Sequence, residues 1–241
     1  MSHRLYLPEA RTGRQIIEGA RFHYLQRVLR LSVGDSLEVF AAGRAYTASI
    51  IAGDQTSLTL ELGAERVARP MRSVTIVQGL PKADKLELVL QKATELGASA
   101  FAPVSTARSI VKLEGKEDKK LERWRRIVEE AARQCRRSDV PIVYPPAPLL
   151  EAVKALPGAP TLLVLDEEEQ ATRLGLAFSV LDADQPVALI IGPEGGLTRD
   201  EVSALLSLGA LAVTLGQLVL RTETAALAAL AIMRHLDGEA G

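Results

Sequence analysis

The sequence predicts an α/β protein in two parts: a small β-rich N-terminal unit, then a domain of alternating strands and helices around a mostly parallel sheet. Three observations carry this. Residues 1–68 hold short segments of alternating apolar and polar residues separated by turn residues. From Val74 the rhythm changes, and strand-length apolar runs alternate with helical stripes. Finally, Leu162 to Leu165, Val187 to Ile191 and Leu211 to Leu215 are almost wholly apolar, as strands covered on both faces are. With 241 residues and 47% hydrophobic content, the chain can form one large domain or two modest ones around a sizeable core.

The elements follow in order. Gly19 to Leu31 carries a short helical pattern with Phe22, Leu25, Val28 and Leu29 on one side. Ser36 to Phe40 and Arg44 to Ile51 flank Ala41-Ala-Gly43, which suits a hairpin with a short glycine-containing loop. Ser57 to Leu62 alternates as a third strand, and a small closed barrel accommodates these pieces. Arg66 to Pro70 reads as a linker. Val74 to Gln78 is a strand. Asp84 to Leu96 is a helix with Leu86, Val89, Ala93 and Leu96 on its stripe and Gly97 at its stop. Phe101 to Val104 is extended, and Asp118 to Arg137 is a long helix with Leu121, Trp124, Val128, Ala131 and Cys135 inward. Thr198-Arg-Asp-Glu201 is a capping-box pattern for a helix reaching Gly209. Thr222 is placed to cap the last helix, which is apolar on every side from Ala225 to Met233. Such a helix needs cover on each face, and a second subunit is one source of it.

Composition narrows the class. The longest wholly apolar run, Ala225 to Met233, is far short of the roughly 20 residues of a membrane span. The N-terminus lacks the apolar core of a signal peptide, and Cys135, the only cysteine, can form no internal disulfide. These features predict a cytoplasmic protein, with Cys135 as core filling. The net charge of −1 is unevenly spread: residues 82–137 hold 14 Lys/Arg against 9 Asp/Glu, residues 139–211 hold 3 against 11. Bulk charge therefore does not announce a nucleic-acid binder, while a local basic face remains available. His3, His23 and His235 have no metal-ligand spacing and there is no cysteine cluster, so no metal is expected.

Two breaks carry the chemistry. Leu189 to Thr198 (LIIGPEGGLT) runs from an apolar strand into a glycine-rich turn and a helix start, and Leu220 to Ala225 (LRTETA) runs into Arg, Thr and Glu before the last helix. Glycines at a strand-to-helix break let a ligand lie against the backbone. The turn at Gly192 is also readable as a plain tight turn; it is neither G-x-G-x-x-G nor a P-loop, which argues against a nicotinamide cofactor or a nucleoside triphosphate. Arg221 is readable either as half of a helix-terminus ion pair with Glu223 or as a cation aimed into a pocket. Two basic groups complete the set. Arg133, Arg136 and Arg137 crowd around Gln134, with Lys82, Lys85 and Lys92 as additions to that surface, which is readable as a solvated helix face or as a set of phosphate contacts. In the N-terminal unit Arg4, Arg21, His23, Arg27 and Arg30 interleave with Tyr6 and Tyr24, which is readable as an RNA-contact module or as scattered surface charge.

GPEGG, Leu215-Gly216 and LRTETA together resemble the cofactor loops of SPOUT methyltransferases. More narrowly, the chain is similar to the bacterial family that methylates N3 of a uridine in small-subunit ribosomal RNA, ribosomal RNA small subunit methyltransferase E. His23 to Arg30 with Val33-Gly-Asp35, Gln91 to Gly97 (QKATELG) and Glu130 to Arg136 (EAARQCR) leading to Pro141 agree, so the resemblance covers essentially the whole chain. Cys135 departs from it where a serine or similar small residue is expected.

The resemblance implies a PUA-like barrel over 1–68 and a SPOUT domain over 72–241, with a C-terminal deep trefoil knot at about 162–237. Connection rules alone predict an ordinary doubly wound sheet, since they treat knots as nearly absent. It further implies a homodimer that binds S-adenosylmethionine on Gly192, Pro193, Glu194, Gly195, Gly196, Leu215, Gly216 and Leu220. Arg221, Thr222 and Ala225 border that site, and Leu165 and Asp166 close its third loop. The substrate would be 16S ribosomal RNA, in the small subunit or its precursor. Arg221 is then the candidate for stabilising charge on the uracil, and Glu223 or a water the candidate base. Two rivals share the fold: a ribose 2′-O-methylating enzyme and a non-catalytic ribosome-assembly protein. The intact glycines and Arg221 favour an enzyme, and the N-terminal barrel with QKATELG favours a base methylator.

Overall fold

A computed structural model of the chain describes residues 3–69, 71–110, 115 and 117–240. Pro70, the last residue of the expected linker, lies outside them, as do Met1 and Ser2. The residues cluster into two units, one below residue 71 together with Ala132–Val140, the other Met71–Ala131 with Pro141–Gly241.

In the first unit, β1 (His3–Tyr6), β2 (Gly13–Glu18), β3 (Ser36–Ala41), β4 (Arg44–Gly53) and β5 (Ser57–Val67) form one sheet in the order β1-β3-β4-β5-β2. β1 runs parallel to β3 and the other pairs are antiparallel. The β3–β4 turn is Ala42-Gly43, both with positive φ (47° and 77°), the conformation that matches a tight hairpin to the twist of its strands. Two register shifts in β4, at Tyr46/Ala48 and Ile50/Ala52, bend the strand. One core fills the unit, with Phe22, Leu25, Val39, Ile50, Leu58 and Leu60 buried. β1 and β2 were not among the predicted strands.

The expected single helix over Gly19–Leu31 is instead α1 (Gly19–His23) running into a π-helical turn, Tyr24–Val28. The wider turn rotates the stripe, so Phe22 and Leu25 are buried while Val28 is 65% exposed.

The second unit is built on β6 (Val74–Gly79), β7 (Ala100–Ser105), β8 (Ile142–Val143), β9 (Ala147–Pro148), β10 (Thr161–Leu165), β11 (Val187–Ile191) and β12 (Leu211–Val213). Every pairing is parallel; the order is β12-β10-β11-β6-β7-β8, with β9 also on β7. Its helices are α2 (Lys85–Glu95), α3 (Glu117–Gln134), α4 (Leu149–Lys154), α5 (Leu174–Ser179), α6 (Arg199–Ser207) and α7 (Thr222–Leu236). β11 is buried along its length, as predicted, each large side chain contributing roughly 1.5–3 kcal/mol. β12 is not: it is an edge strand whose Leu211 is 42% exposed, because β10 flanks it on one side only.

Two further expectations change. Cys135 falls just past the end of α3 and is only partly buried, so it is a shoulder residue rather than core. The helix ends there on Arg136, in the left-handed region at φ 63°, with the Arg137 N–H bonded back to the Ala132 carbonyl. α7 packs on α2, α5 and β11, which covers Ala226, Ala229, Leu230 and Met233. Its outer face keeps Ile232 38% and Leu236 45% exposed. No helix among the described residues is long and apolar enough to cross a membrane.

Candidate functional site

In a parallel sheet all strands end at one edge, and ligands bind in the crevice outside those ends. Here β10, β11 and β12 lead into Asp166, Gly192 and Leu215, and their loops meet the start of α7 around a cavity of about 420 Å³. That volume is in the range of small-molecule sites. Leu165, Asp166, Gly192, Pro193, Glu194 and Gly196 line one side. Leu215, Gly216, Leu220, Arg221, Thr222 and Ala225 line the other.

The turn after β11 is tightly determined. The Gly196 N–H bonds to the Pro193 carbonyl at 2.9 Å, and Gly196 has φ 69°. A Cβ on Gly192 would stand 2.7–2.9 Å from backbone atoms of Gly196 and Leu197, and one on Gly79 2.7 Å from Pro193. Both glycines are therefore demanded by close approach. Thr198 and Glu201 form the predicted capping box and start α6.

Beneath the turn lies a buried clamp. Gln78, 1% exposed, donates to Thr222 Oγ1 at 2.8 Å and to the Gly79 and Gly192 carbonyls; the Thr222 hydroxyl donates to Gly192 O at 2.6 Å. Thr222 is thus not a helix cap. It is the first residue of α7, Arg221 holds the cap position, and the hydroxyl is committed to the clamp. Gln78 escaped the sequence reading, although a lone amide in a strand-length apolar run is a usable sign, since burying it unpaired is costly.

Charges surround the cavity in an ordered way. Asp166 accepts two bonds from Arg199, at 2.8 and 2.7 Å. These hold its carboxyl below the ordinary carboxylate range, against burial. Burial pushes Glu194 up, but hydrogen bonds from Lys85 Nζ (2.9 Å), its own N–H and the Lys82 N–H leave it below its usual value. Lys85 Nζ also stands 3.6 Å from Glu223. Glu223 is therefore paired with Lys85 and not with Arg221. Arg221 is exposed; its carbonyl accepts from the Ala225 N–H at 2.8 Å, but its guanidinium has no hydrogen bond or ion pair among the described residues, which removes the helix-terminus ion-pair reading. Among the described residues no group of three or more His, Cys, Asp or Glu is placed to hold a metal.

Gly195 is the one expected cofactor residue absent from the lining. A Cβ there would meet Arg108, whose Cβ lies 3.3 Å away, so Gly195→Val would displace Arg108 rather than a ligand.

The basic residues sort into free and committed. In the first unit Arg21, His23, Arg27, Arg30, Gln134 and Arg136 are exposed, Arg21 donating to the Tyr6 carbonyl. The Arg133 guanidinium lies 4.6 Å from the Tyr24 ring centre, bringing residues 132–140 onto the α1 region. Arg4 departs from expectation: it is 6% exposed, stacked over Phe40, paired with Glu38 and donating to the Arg133 carbonyl. Arg137 does too, its side chain 8% exposed and doubly bonded to Asp139. In the second unit Lys82 is exposed, Lys92 pairs with Glu95, and Lys85 is engaged at the cavity.

The chain is similar to known RNA methyltransferases along most of its length. Residues 68–234 match an RNA methyltransferase domain model and residues 17–63 an RNA methyltransferase PUA domain model. Ribosomal RNA small subunit methyltransferase E of Bacillus subtilis is 36% identical over 229 residues, 91% of this chain and 89% of that protein. The enzyme of that name from Neisseria gonorrhoeae, crystallised bound to S-adenosyl methionine, superposes with a TM-score of 0.85 at 32% identity over 98% of both chains. A putative methyltransferase from Legionella pneumophila with the same cofactor bound gives 0.84 at 29% identity, again over 98% of both. With a PUA-like N-terminal unit, a parallel SPOUT-type sheet and relatives of one name along nearly its full length, the chain belongs to the ribosomal RNA small subunit methyltransferase E family.

Proposed function

We propose that the protein methylates N3 of a uridine in 16S ribosomal RNA, using S-adenosylmethionine held in the cavity outside β10, β11 and β12. The observation that carries the reading is the uncommitted Arg221 guanidinium at the rim of a glycine-walled cavity, in a chain of this family. The cavity fits that cofactor: Gly192 is too closely approached for any side chain, and a Cβ on Gly216, at φ 124°, would project into open space. Backbone groups of Gly192, Gly196, Leu215 and Leu220 would hold it. When bound, it supplies a methyl group on a positive sulfonium.

The rest belongs to the protein. N3 of uracil carries a proton and is a weak nucleophile until that proton leaves. Glu223, with Oε2 buried and Lys85 3.6 Å away, is the proposed acceptor, directly or through a water. The negative charge then spreads to the flanking carbonyl oxygens, where the permanently charged Arg221 fork stabilises it. Alignment of base and methyl group contributes on the order of 7–11 kcal/mol.

The proposed division is a PUA-like barrel over 1–68 and a methyltransferase domain over 72–241, knotted at about 162–237, working in the cytoplasm. The barrel and residues 133–136 would take the RNA through Arg21, His23, Arg27, Arg30, Arg133, Gln134 and Arg136, with Lys82 and Lys92 as further contacts. Arg27→Ala or Arg136→Ala is expected to weaken RNA binding and lower its salt slope by roughly 0.7–0.9 per lost phosphate contact. Titrations at several salt concentrations check this; an unchanged slope removes the residue from the interface.

A homodimer completes the reading. α7 leaves Ile232 and Leu236 partly exposed on its outer face, and the loop that leads into the helix has Leu218 81% and Val219 79% exposed. Sedimentation at micromolar concentration is expected to give twice the chain mass, and a monomer that still binds cofactor would contradict it. The activity is tested by incubating the protein with labelled S-adenosylmethionine and small subunits from cells lacking the enzyme, then mapping the modified nucleotide. Label on a ribose oxygen would select the 2′-O rival, and no label the non-catalytic one.

A further inference from the structure

Arg108 lies on the loop after β7, with its side chain laid along the glycine turn from the outside. Its Nη1 donates to the Gly195 carbonyl at 2.6 Å. Its Cβ, Cδ and Cγ stand 3.3, 3.4 and 3.8 Å from where a Gly195 Cβ would be, and Nη1 is 3.8 Å from the corresponding point on Gly196. The loop itself is fastened: the Ala107 N–H donates to Glu201 Oε1 at 2.7 Å, and the Thr106 N–H to Ser109 Oγ at 3.2 Å. Glu201 is also the capping-box partner of Thr198, so the loop is tied to the helix that the turn feeds.

Gly195 does not have a φ that demands glycine. What its missing side chain provides is room for Arg108. Gly192 is fixed by backbone crowding and Gly196 by its positive φ of 69°, whereas Gly195 is exposed, and among the described residues the atoms nearest to where its Cβ would stand are those of Arg108. A peptide between two glycines has more freedom than any other, and one charged donor on its carbonyl removes much of that freedom.

We propose that Arg108 is a positioning residue for the cofactor turn, and that Gly195 is glycine to admit Arg108 and not to admit the ligand. The proposal rests on the reading that this turn holds S-adenosylmethionine. Arg108 acts by restricting the Gly195–Gly196 peptide, so its effect appears in cofactor affinity.

The test is a double-mutant cycle read by calorimetry with S-adenosylmethionine, alongside thermal unfolding and RNA titration of each variant. Arg108→Ala is expected to weaken cofactor binding about 3- to 10-fold, the size of one exposed hydrogen bond to a charged donor. Gly195→Ala should do about the same, because its methyl group pushes the arginine away. In the Arg108→Ala background Gly195→Ala should add less than about 2-fold, since the two changes remove one contact. Arg108→Lys, which keeps a charged donor, should recover part of the loss. Fully additive effects, or an Arg108→Ala protein that binds the cofactor like wild type, overturn the proposal. So does a loss of RNA affinity with cofactor affinity intact, which would make Arg108 a phosphate contact. A wild-type protein that binds no S-adenosylmethionine in the same calorimeter would instead overturn the functional reading.

Discussion

Arg221→Ala is expected to bind RNA and S-adenosylmethionine and yet transfer the methyl group about 10²–10³-fold more slowly, the range for removing one donor that meets developing charge. The Arg221 guanidinium stands apart from the charges around it. Its neighbours are committed: Glu223 and Glu194 to Lys85, Thr222 to the Gly192 carbonyl. Arg221 has extended backbone (φ −61°, ψ 148°) at the cap of α7, and its carbonyl takes the Ala225 N–H, but its guanidinium has no partner among the described residues, so the side chain holds no part of the fold together. Its removal should cost little stability. Its charge matters chiefly as the uracil becomes anionic, which places the effect in the chemical step. Single-turnover transfer at saturating RNA and cofactor checks this beside Arg136→Ala. Wild-type transfer by Arg221→Ala and impaired transfer by Arg136→Ala would reverse the two roles.

Gly192→Ala should weaken cofactor binding about 10- to 100-fold in a protein that still folds. The added Cβ would stand 2.7 Å from the Gly196 carbonyl carbon and 2.9 Å from the Leu197 nitrogen, both backbone atoms. No side chain can rotate to relieve that contact. Overpacking of this kind costs about 1–3 kcal/mol, and here the strain is released by opening the turn that walls the cavity. Calorimetry is expected to show a loss of about 10- to 100-fold, with the barrel unit unaffected in its RNA titration. Gly195→Ala, three residues further along the turn, provides the contrast, because its neighbour is a movable arginine. Equal losses from the two would mean that backbone crowding does not set the shape of the turn.

Legibility along the chain tracked the strength of the local pattern. β11, the β3–β4 hairpin and the α6 capping box could be read because period, turn residues and caps agreed there. β1 is four residues long, and β2 leaves Ile16 67% exposed, so neither shows a usable alternation. The π-turn at Tyr24–Val28 broke a helical period that the residues alone continue. At the site the glycines and Arg221 were visible because their types are unusual at a strand end. Lys85 was misassigned to a surface, since sequence shows a lysine on a helix but not the two carboxylates that come to meet it from Glu194 and Glu223. Arg108 had no local sign at all; its meaning lies in an approach between residues 87 positions apart.

Arg30 and Arg136 both occupy left-handed backbone, at φ 56° and 63°. Glycine fits that conformation without strain, so Arg→Gly at either position should raise folding stability by about 1 kcal/mol while erasing a guanidinium. Denaturant midpoint and RNA affinity should then move in opposite directions. A screen for heat resistance would favour the substitution and a screen for ribosome modification would reject it. If these two arginines contact RNA as proposed, durability and occupation compete at both positions, and the arginines sit on the side of occupation.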